Sequence, residues 1–399
     1  MDIYVPSTVD TADANALSVR ERDRRYAAVR AELRQRGLKA VVVTGTHLEY
    51  LSGGILRELF GILSVDENEP FTDILIWRAL ADISVDVVRN AQNWVTDIRS
   101  GRDGTEVAER LKELRLDNAK IGFAGALSQR VFSQIAKALP SMAMEDISDS
   151  FVNLRTIKSE EEVALIDRAN RIFDAAVTRI QREAHPGMLG REVVQLGRVA
   201  MWEAGGDLDS YFNFNFGTVA SQNPIVGEIN LNRRIEVGDI GTFTSHTVFH
   251  HYAGHADQQM SFGKAQPLHV EMCKGVNHVR DAVLKIIKSG TTHRDLVDVY
   301  EKATAETGFT TSVHSQMHLY GIDVPEFPGP AFKIKDTKNG EGLGGSGNFV
   351  LRPGMIFSIS PTLINEKTGD SILGGTSLVV TENGYLNFGN RPIELLVAA

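Results

Sequence analysis

The sequence has one cysteine, no long uncharged apolar run and no cluster of basic residues. The lone cysteine, Cys273, excludes an internal disulfide. Because no apolar stretch is long enough to cross a bilayer, the 42% apolar content is typical of a soluble globular protein. The net charge of −9, without a Lys/Arg block, argues against a nucleic-acid-binding protein.

Signals for targeting and for nucleotide binding are also missing. The first sixteen residues are acidic and lack the charged-then-apolar pattern of a signal peptide, so a cytoplasmic location is expected. The first 150 residues contain neither a Gly-x-Gly-x-x-Gly fingerprint nor a Walker loop. Nucleotide binding in this region is therefore unsupported.

Strand and helix patterns alternate in the first part of the chain. This alternation predicts a small α/β domain with a mostly parallel or mixed sheet over residues 1–155. The predicted elements are helices at 18–37 and 105–114, strands at 39–45, 72–77, 82–88 and 121–124, and a turn into a loop at 47–54.

A second domain is predicted from residue 156 to residue 399. Ser159, followed by three glutamates, is typical of a helix N-cap with an acidic first turn, and a long apolar stripe follows it. Further along, residues 187–205 and 290–308 share a Gly, Arg, acidic, aliphatic pattern and a terminal glycine. We interpret this match as an internal duplication of two halves enclosing a cleft, although two ordinary helices could match by chance.

Four of the eleven histidines lie within ten residues, in the segment 235–263. The pattern predicts two antiparallel strands joined near His250 and His251, which we assign to the turn. Side chains alternate between faces along a strand, so one face should carry a polar cluster lining a pocket. That face would carry Thr242, Thr244, His246 and Val248 on the first strand and His255, Asp257, Gln259 and Ser261 on the second. We assign His246, His255 and Asp257 to the pocket.

Eight short motifs or residues are spread over positions 154–384: Leu154-Arg155-x-x-Lys158-Ser159, Gln222-Asn223-Pro224, Val237-Gly238-Asp239, Asp257, His318-x-x-Gly321-x-Asp323, Arg352-Pro353-Gly354-Met355, Phe357-Ser358-Ile359 and Val380-Thr381-Glu382-Asn383-Gly384. In their order and spacing they resemble the creatinase, prolidase and methionine aminopeptidase family, which has the "pita-bread" fold. The resemblance implies a small N-terminal α/β domain and a C-terminal duplicated pita-bread domain. It also implies a homodimer in which the N-terminal domain of one chain covers the other's pocket. His47, Arg57 or Phe60, in the loop after the first strand, would then reach the neighbouring site, although for Phe60 a packing role is favoured.

The sequence departs from this family at the metal ligands. The peptidases bind two divalent metals through two Asp, one His and two Glu. Matching residue by residue, Asp257 and His318 remain, Thr244 and Ser360 replace an Asp and a Glu, and the other Glu falls at the Gly374-Gly375 pair. One Asp and one His cannot satisfy two hard cations, so we expect no paired metals and no cofactor. A single replacement metal held by His246, His255, Asp257 and His318 stays open.

Creatinase and the ectoine hydrolases are the relatives that show what a metal-poor pocket of this fold can do. They hydrolyse C–N bonds in small nitrogen compounds with side chains as acid and base. Creatinase has a Tyr five residues before the acid, matched here by Tyr252, but its base histidine is replaced by Gln222. The base must then be another histidine, and we predict His318, Asp257, His246 and His255 as catalytic residues.

The predicted function is metal-independent hydrolysis of a C–N bond in a small polar molecule. Two alternatives stay open: a lyase acting on a small carboxylate on the same scaffold, and a non-catalytic ligand- or peptide-binding protein. The predicted partner is a small-molecule substrate, without nucleic acid or membrane. The residues predicted to bind substrate are Thr244, Tyr252, Gln222, Ser360, Phe60, Asp323 and Glu326.

Overall fold

The structure, a computed structural model, divides the chain into two compact units, Met1–Arg155 and Thr156–Ala399. Among the described helices, none combines the length and apolar character that crossing a membrane requires. The residues described are 17–54, 58–76, 85–86, 88–89, 92–207, 210–217, 231–311, 313–315, 317–326, 331–332, 349–389 and 394–398.

The first unit is an α/β unit built on one six-stranded mixed sheet of order β4-β3-β2-β1-β5-β6. Strands β1 and β5, β5 and β6, and β3 and β4 pair in parallel, whereas β2 pairs antiparallel with both β1 and β3. The predicted mixed sheet is confirmed. The elements are α1 (Val19–Arg36), β1 (Ala40–Val43), α2 (Thr46–Ser52), β2 (Glu58–Ser64), β3 (Thr72–Ile76), β4 (Asp97–Gly101), α3 (Gly104–Glu113), β5 (Lys120–Ala124), α4 (Gln129–Ala138), β6 (Ala143–Asp146) and α5 (Ser148–Thr156).

Three local predictions for this unit are wrong. Residues 47–54 form helix α2 and its glycine cap rather than a loop. Of the predicted strand 82–88, the described residues 85, 86 and 88 are helical. Phe60 lies in strand β2 and not in the loop predicted after the first strand, and its side chain packs in the apolar core, which is the role favoured for it from the sequence.

The second unit contains two four-stranded sheets, of order β18-β9-β8-β7 and β11-β13-β16-β17. Helix α6 packs on the first sheet so closely that a Cβ on Gly254 would lie 2.5 Å from the backbone nitrogen of Asn170. The elements are α6 (Glu160–Glu183), α7 (Gly190–Glu203), β7 (Tyr211–Gly217), β8 (Ile240–Phe249), β9 (Tyr252–Phe262), α8 (Pro267–Leu284), α9 (His293–Glu306), β10 (Val313–Ser315), β11 (Met317–Leu319), β12 (Ala331–Phe332), β13 (Ile356–Ile359), β14 (Thr362–Ile364), β15 (Ser371–Leu373), β16 (Thr376–Val380), β17 (Tyr385–Asn387) and β18 (Leu396–Ala398).

The duplication predicted from the sequence is visible in the second unit, where two helices are preceded by the same local structure. Helix α7 is preceded by a β-bridge between Leu189 and Arg234, and helix α9 by one between Thr292 and Val350. Gly187 and Gly290 stand before these helices with positive φ angles of 96° and 87°, a region that glycine enters without steric cost. Each copy therefore repeats a turn, a bridge and a helix.

Helix α6 begins as predicted and fixes part of the adjoining sheet. The Ser159 side chain accepts from the Glu162 backbone N–H, while the Glu162 carboxylate accepts from the Ser159 N–H, a reciprocal capping box. The other oxygen of Glu162 accepts a hydrogen bond from the Tyr252 hydroxyl at 2.8 Å. The start of the helix is thereby joined to the start of β9.

Candidate functional site

Strands β8 and β9 form the histidine hairpin expected from the sequence. Thr244 stands opposite Asp257, and His246 stands opposite His255. The two turn residues, His250 and His251, have positive φ angles of 47° and 67°, as two-residue turns in right-twisted hairpins require. The prediction of an antiparallel pair with its turn at these two histidines is confirmed.

The two faces of this hairpin have different surroundings. Phe243, Ala256 and Met260 belong to the apolar core on one face. Tyr252 shares the parity of Ala256, and its hydroxyl is used by Glu162 of helix α6. The expectation that Tyr252 binds substrate beside Asp257 is therefore wrong in this structure, because five residues along a strand lead to the opposite face.

Asp257 is a buried carboxylate, 2% exposed, held by two hydroxyl groups. Thr244 Oγ1 donates to Oδ1 at 2.7 Å, and Ser360 Oγ donates to Oδ2. Ser360 follows β13, so hydroxyls from two different sheets meet on one carboxylate. Hydrogen bonds to a charged acceptor are the stronger kind, worth about 1.5–3 kcal/mol each, and they fix its orientation.

Gly375 leaves no room for a side chain next to Ser360. A Cβ at Gly375 would lie 2.2 Å from Ser360 Oγ and 2.7 Å from the Ile359 carbonyl oxygen. Its backbone N–H donates to the Asp257 carbonyl at 3.4 Å. The position that the resemblance matches to a metal-binding Glu is thus filled by the serine hydroxyl and backbone.

Three imidazole rings stand in a row beside this carboxylate. His318, on β11, has its ring centroid 4.8 Å from that of His255, and the His255 ring is 4.8 Å from that of His246. His318 is 5% exposed and His255 is 6% exposed, whereas His246 is half-buried. The structure therefore brings all four predicted catalytic residues together within the second unit.

Burial keeps two of these imidazoles neutral. Desolvation, with the neighbouring His255 and His318, lowers the pKa of His246 to about 3, although Asp257 acts in the opposite direction. Desolvation also lowers the pKa of His318, against a hydrogen bond to the Leu319 carbonyl and the charge of Asp257. At neutral pH both rings carry an unprotonated nitrogen.

Hydrogen bonds show which ring nitrogen carries the hydrogen in His318 and in His255. Nδ1 of His318 lies 3.1 Å from the carbonyl oxygen of Leu319, and Nδ1 of His255 lies 3.2 Å from that of Ser245. A carbonyl only accepts, so in both residues Nδ1 carries the hydrogen. In His318, whose pKa is lowered, the lone pair of the neutral ring is then on Nε2.

Two further polar side chains predicted to share this hairpin face, Thr242 and Gln259, lie on it. Thr242 stands opposite Gln259, one rung beyond Thr244 and Asp257. Cys273 Sγ donates to Gln259 Oε1 at 2.7 Å, and burial raises the pKa of this thiol to about 12, so it keeps its proton. The two-residue period of the strands predicts this placement.

The other predicted substrate-binding residues lie elsewhere or outside the described residues. Glu326 forms a buried ion pair with Lys158, and its role in substrate binding stays a prediction. Asp323 is half-buried in the turn 321–325, where its carbonyl accepts from the Gly321 N–H at 3.0 Å.

Gln222 and Arg57 lie outside the described residues. His47 is buried in helix α2, where Nδ1 accepts from Arg155 Nη1 at 3.2 Å.

The donor set does not fit a paired metal centre. Two hard divalent cations need several anionic oxygen ligands. Here Asp257 contributes one carboxylate whose oxygens accept from Thr244 and Ser360, and Gly375 contributes none. Within the described part of the chain, no three His, Cys, Asp or Glu side chains are arranged to hold one ion.

Comparison with known proteins places this arrangement in a family. Residues 164–382, more than half of the chain, match Metallopeptidase family M24. The chain belongs to that family. Residues 25–157 match the Creatinase/Prolidase N-terminal domain, so both parts of the predicted pita-bread architecture are confirmed.

Individual relatives are distant. The chain is 23% identical to the Xaa-Pro dipeptidase of Pyrococcus furiosus over 72% of this chain and 78% of that protein. It is 24% identical to the creatinase of Bacillus sp. (strain B-0618), over 88% and 80% of the two chains. A solved Xaa-Pro dipeptidase from Bacillus anthracis superposes with a TM-score of 0.78 at 20% identity, covering 94% of this chain and 99% of that one. At that identity the structural likeness establishes the fold alone.

Proposed function

We propose that this M24 family protein is a metal-independent hydrolase that cleaves a C–N bond in a small polar nitrogen compound. One observation carries the proposal: hydroxyl groups hold Asp257 at the positions that the resemblance matches to metal-binding carboxylates, beside a row of three imidazoles. These side chains can supply acid–base catalysis, whereas they cannot supply the anionic ligands of two hard cations.

His318 is the proposed general base. Its Nδ1–H is held by the Leu319 carbonyl, which leaves the Nε2 lone pair to accept a proton. In the proposed reaction, Nε2 takes a proton from water as the water oxygen bonds to the carbon of the C–N bond. When that bond breaks, the leaving nitrogen receives a proton from the imidazolium, so the ring returns to its neutral form.

Asp257 supports this cycle as a fixed negative charge. Its charge opposes the lowering of the pKa of His318 and of His246, and so favours the protonated ring that forms during turnover. Because Thr244 and Ser360 hold both oxygens, the carboxylate keeps one orientation through the cycle. His255, between the other two rings, would position the substrate or donate to developing oxyanion charge.

The neutral hydrogen-bonding groups around Asp257 favour a neutral or zwitterionic substrate. Thr244 and Ser360 contribute hydroxyls where a metallopeptidase uses charge, and Gln259 adds an amide one rung away. Such groups recognise carbonyl, amino and hydroxyl groups without requiring a net charge.

The names of several relatives support a competing function, hydrolysis of Xaa-Pro dipeptides. That activity and the proposed one differ in two measurable ways, the dependence on divalent metal and the kind of molecule cleaved. The test begins with a thermal-shift screen of small nitrogen compounds, since a ligand that binds the folded state raises its melting temperature.

Each compound that stabilises the protein is then incubated with enzyme in EDTA, and the products are identified by mass spectrometry. We expect amine or ammonia release, with addition of one water, from at least one compound. Xaa-Pro cleavage that appears only with added Mn²⁺ or Co²⁺ would overturn the proposal in favour of a peptidase. An unsaturated product without added water would instead indicate a lyase.

A further inference from the structure

The second unit contains an ion pair whose burial is unusual for two charged side chains. Lys158 Nζ pairs with the carboxylate of Glu326, and their side chains are only 1% and 5% exposed. Taking two charges out of water is costly, so an ion pair of this kind is poorly explained by stability alone. Its position relative to His318 suggests another role.

The backbone of Lys158 is joined to the strand that pairs with β11. Its N–H donates to the Gly354 carbonyl at 2.9 Å, and the preceding Ile157 forms a β-bridge with Met355. Strand β13 begins at the next residue and pairs with β11, placing Ser358 opposite His318. Lys158 therefore has a fixed backbone position relative to the strand that carries His318.

The backbone of Glu326 reaches the same strand from the other side. Its N–H donates to the Leu319 carbonyl oxygen at 2.8 Å, which closes the turn between residues 319 and 326. This is the oxygen that accepts from His318 Nδ1 at 3.1 Å. One carbonyl therefore receives both the hydrogen bond from Glu326 and the one that sets the tautomer of His318.

Gly321 shows how tightly the ion pair packs against this turn. A Cβ at Gly321 would lie 2.7 Å from Glu326 Oε1 and 2.7 Å from Lys158 Cε. The Gly321 carbonyl also accepts from the Ala253 N–H at 2.8 Å, which joins the turn to β9. The turn, the ion pair and the hairpin are thus in direct contact.

We propose that Lys158 is a positioning residue: through its ion pair with Glu326 it holds the Leu319 carbonyl, and this carbonyl keeps His318 in the Nδ1–H form. Without Lys158 the Glu326 carboxylate loses this ion pair, the closing hydrogen bond to Leu319 loosens, and His318 exchanges between its two neutral tautomers. The catalytic importance of that tautomer rests on the proposed function, but the tautomer itself can be measured without any substrate.

The test is ¹⁵N NMR of the full-length protein labelled at histidine, which distinguishes protonated from unprotonated ring nitrogens. The His318→Gln variant identifies the His318 signals among the eleven histidines. We expect Nδ1–H with unprotonated Nε2 in the wild type. Lys158→Met and Glu326→Gln should give a mixture that includes Nε2–H, and Lys158→Arg should restore the wild-type pattern.

Arg25→Met is the matched control, because it breaks another buried ion pair, with Glu21, in the first unit. It should leave the His318 signals unchanged whatever its effect on melting. If the single variants do not fold, the double variant Lys158→Met/Glu326→Met, which leaves no unpaired charge, decides the question.

A folded variant without the ion pair that keeps the pure wild-type pattern would overturn the inference, as would Nε2–H in the wild type. Failure to find a C–N substrate would count against the proposed function and would leave the tautomer result standing.

Discussion

The Ser360 hydroxyl donates a hydrogen bond to Oδ2 of Asp257. Asp257 is the one carboxylate that remains among the positions matched to the family's metal ligands. Thr244 donates to the other oxygen. The polar face of the hairpin is therefore a set of organised hydrogen bonds. Such a site holds a fixed charge next to neutral bases, which is suited to acid–base chemistry.

Removing the charge of Asp257 or the imidazole of His318 should abolish most turnover. Asp257→Asn keeps the size of the side chain, and the hydroxyls of Thr244 and Ser360 can donate or accept, so the fold should survive. We expect kcat to fall about a hundredfold or more in Asp257→Asn and in His318→Ala, the scale of a positioned acid or base. Replacing His250 in the hairpin turn, His250→Asn, is the control. Near-wild-type kcat in both site variants would remove them from the mechanism.

Tyr252→Phe should affect stability and not turnover. The lost hydrogen bond to Glu162 involves a charged acceptor, so the free energy of unfolding should drop by about 1.5–3 kcal/mol. Urea denaturation and steady-state kinetics measure the two effects separately. A large loss of kcat with unchanged stability would place Tyr252 in the reaction after all.

The row of histidines should make the folded state sensitive to acid. The pKa of His246 is about 3 in the folded protein and about 6.5 when unfolded, so between these values the unfolded chain binds more protons. Stability should be full above pH 6.5 and decline as the pH falls towards 3, by about 1.4 kcal/mol per pH unit for each such group. In urea titrations between pH 7.5 and pH 4, His246→Gln should show a shallower slope than the wild type. His185→Gln, at an exposed position, should match the wild type, and an unchanged slope in His246→Gln would contradict this account.

The contact between Gly375 and Ser360 predicts a non-additive pair of substitutions. Gly375→Ala places a Cβ where Ser360 Oγ now lies, so overpacking should cost about 1–3 kcal/mol of unfolding free energy. Combining it with Ser360→Gly should recover part of this loss, because the clashing oxygen is gone. A double-mutant cycle measures the coupling, and simple additivity of the two effects would show that the contact is absent.

Sequence periodicity was sufficient for the hairpin and its polar face. Alternation of Thr244, His246, His255 and Asp257 places them on one side, and the register confirms it. The same rule already separates Tyr252 from Asp257, since an odd spacing leads to opposite faces. Tyr252 was assigned to substrate binding because the family resemblance was given more weight than the two-residue period of the strand.

Contacts between distant parts of the chain could not be predicted in this way. The partner of Glu326 is Lys158, 168 residues earlier, and no local pattern indicates that pairing. Nor does a Gly-Gly pair reveal that Ser360 Oγ occupies the space beside Gly375. Helix α2 was missed because a short helix carries too little periodic signal to separate it from a loop.

The metal content of the purified protein tests the central claim most directly. Protein produced in medium supplemented with Mn²⁺, Co²⁺, Zn²⁺ and Fe²⁺ is desalted, and its metals are quantified by mass spectrometry before and after EDTA, with thermal melting measured in parallel. The account predicts well below one divalent ion per chain and a melting temperature unchanged by EDTA. Two stoichiometric divalent ions per chain, lost to EDTA together with thermal stability, would contradict it.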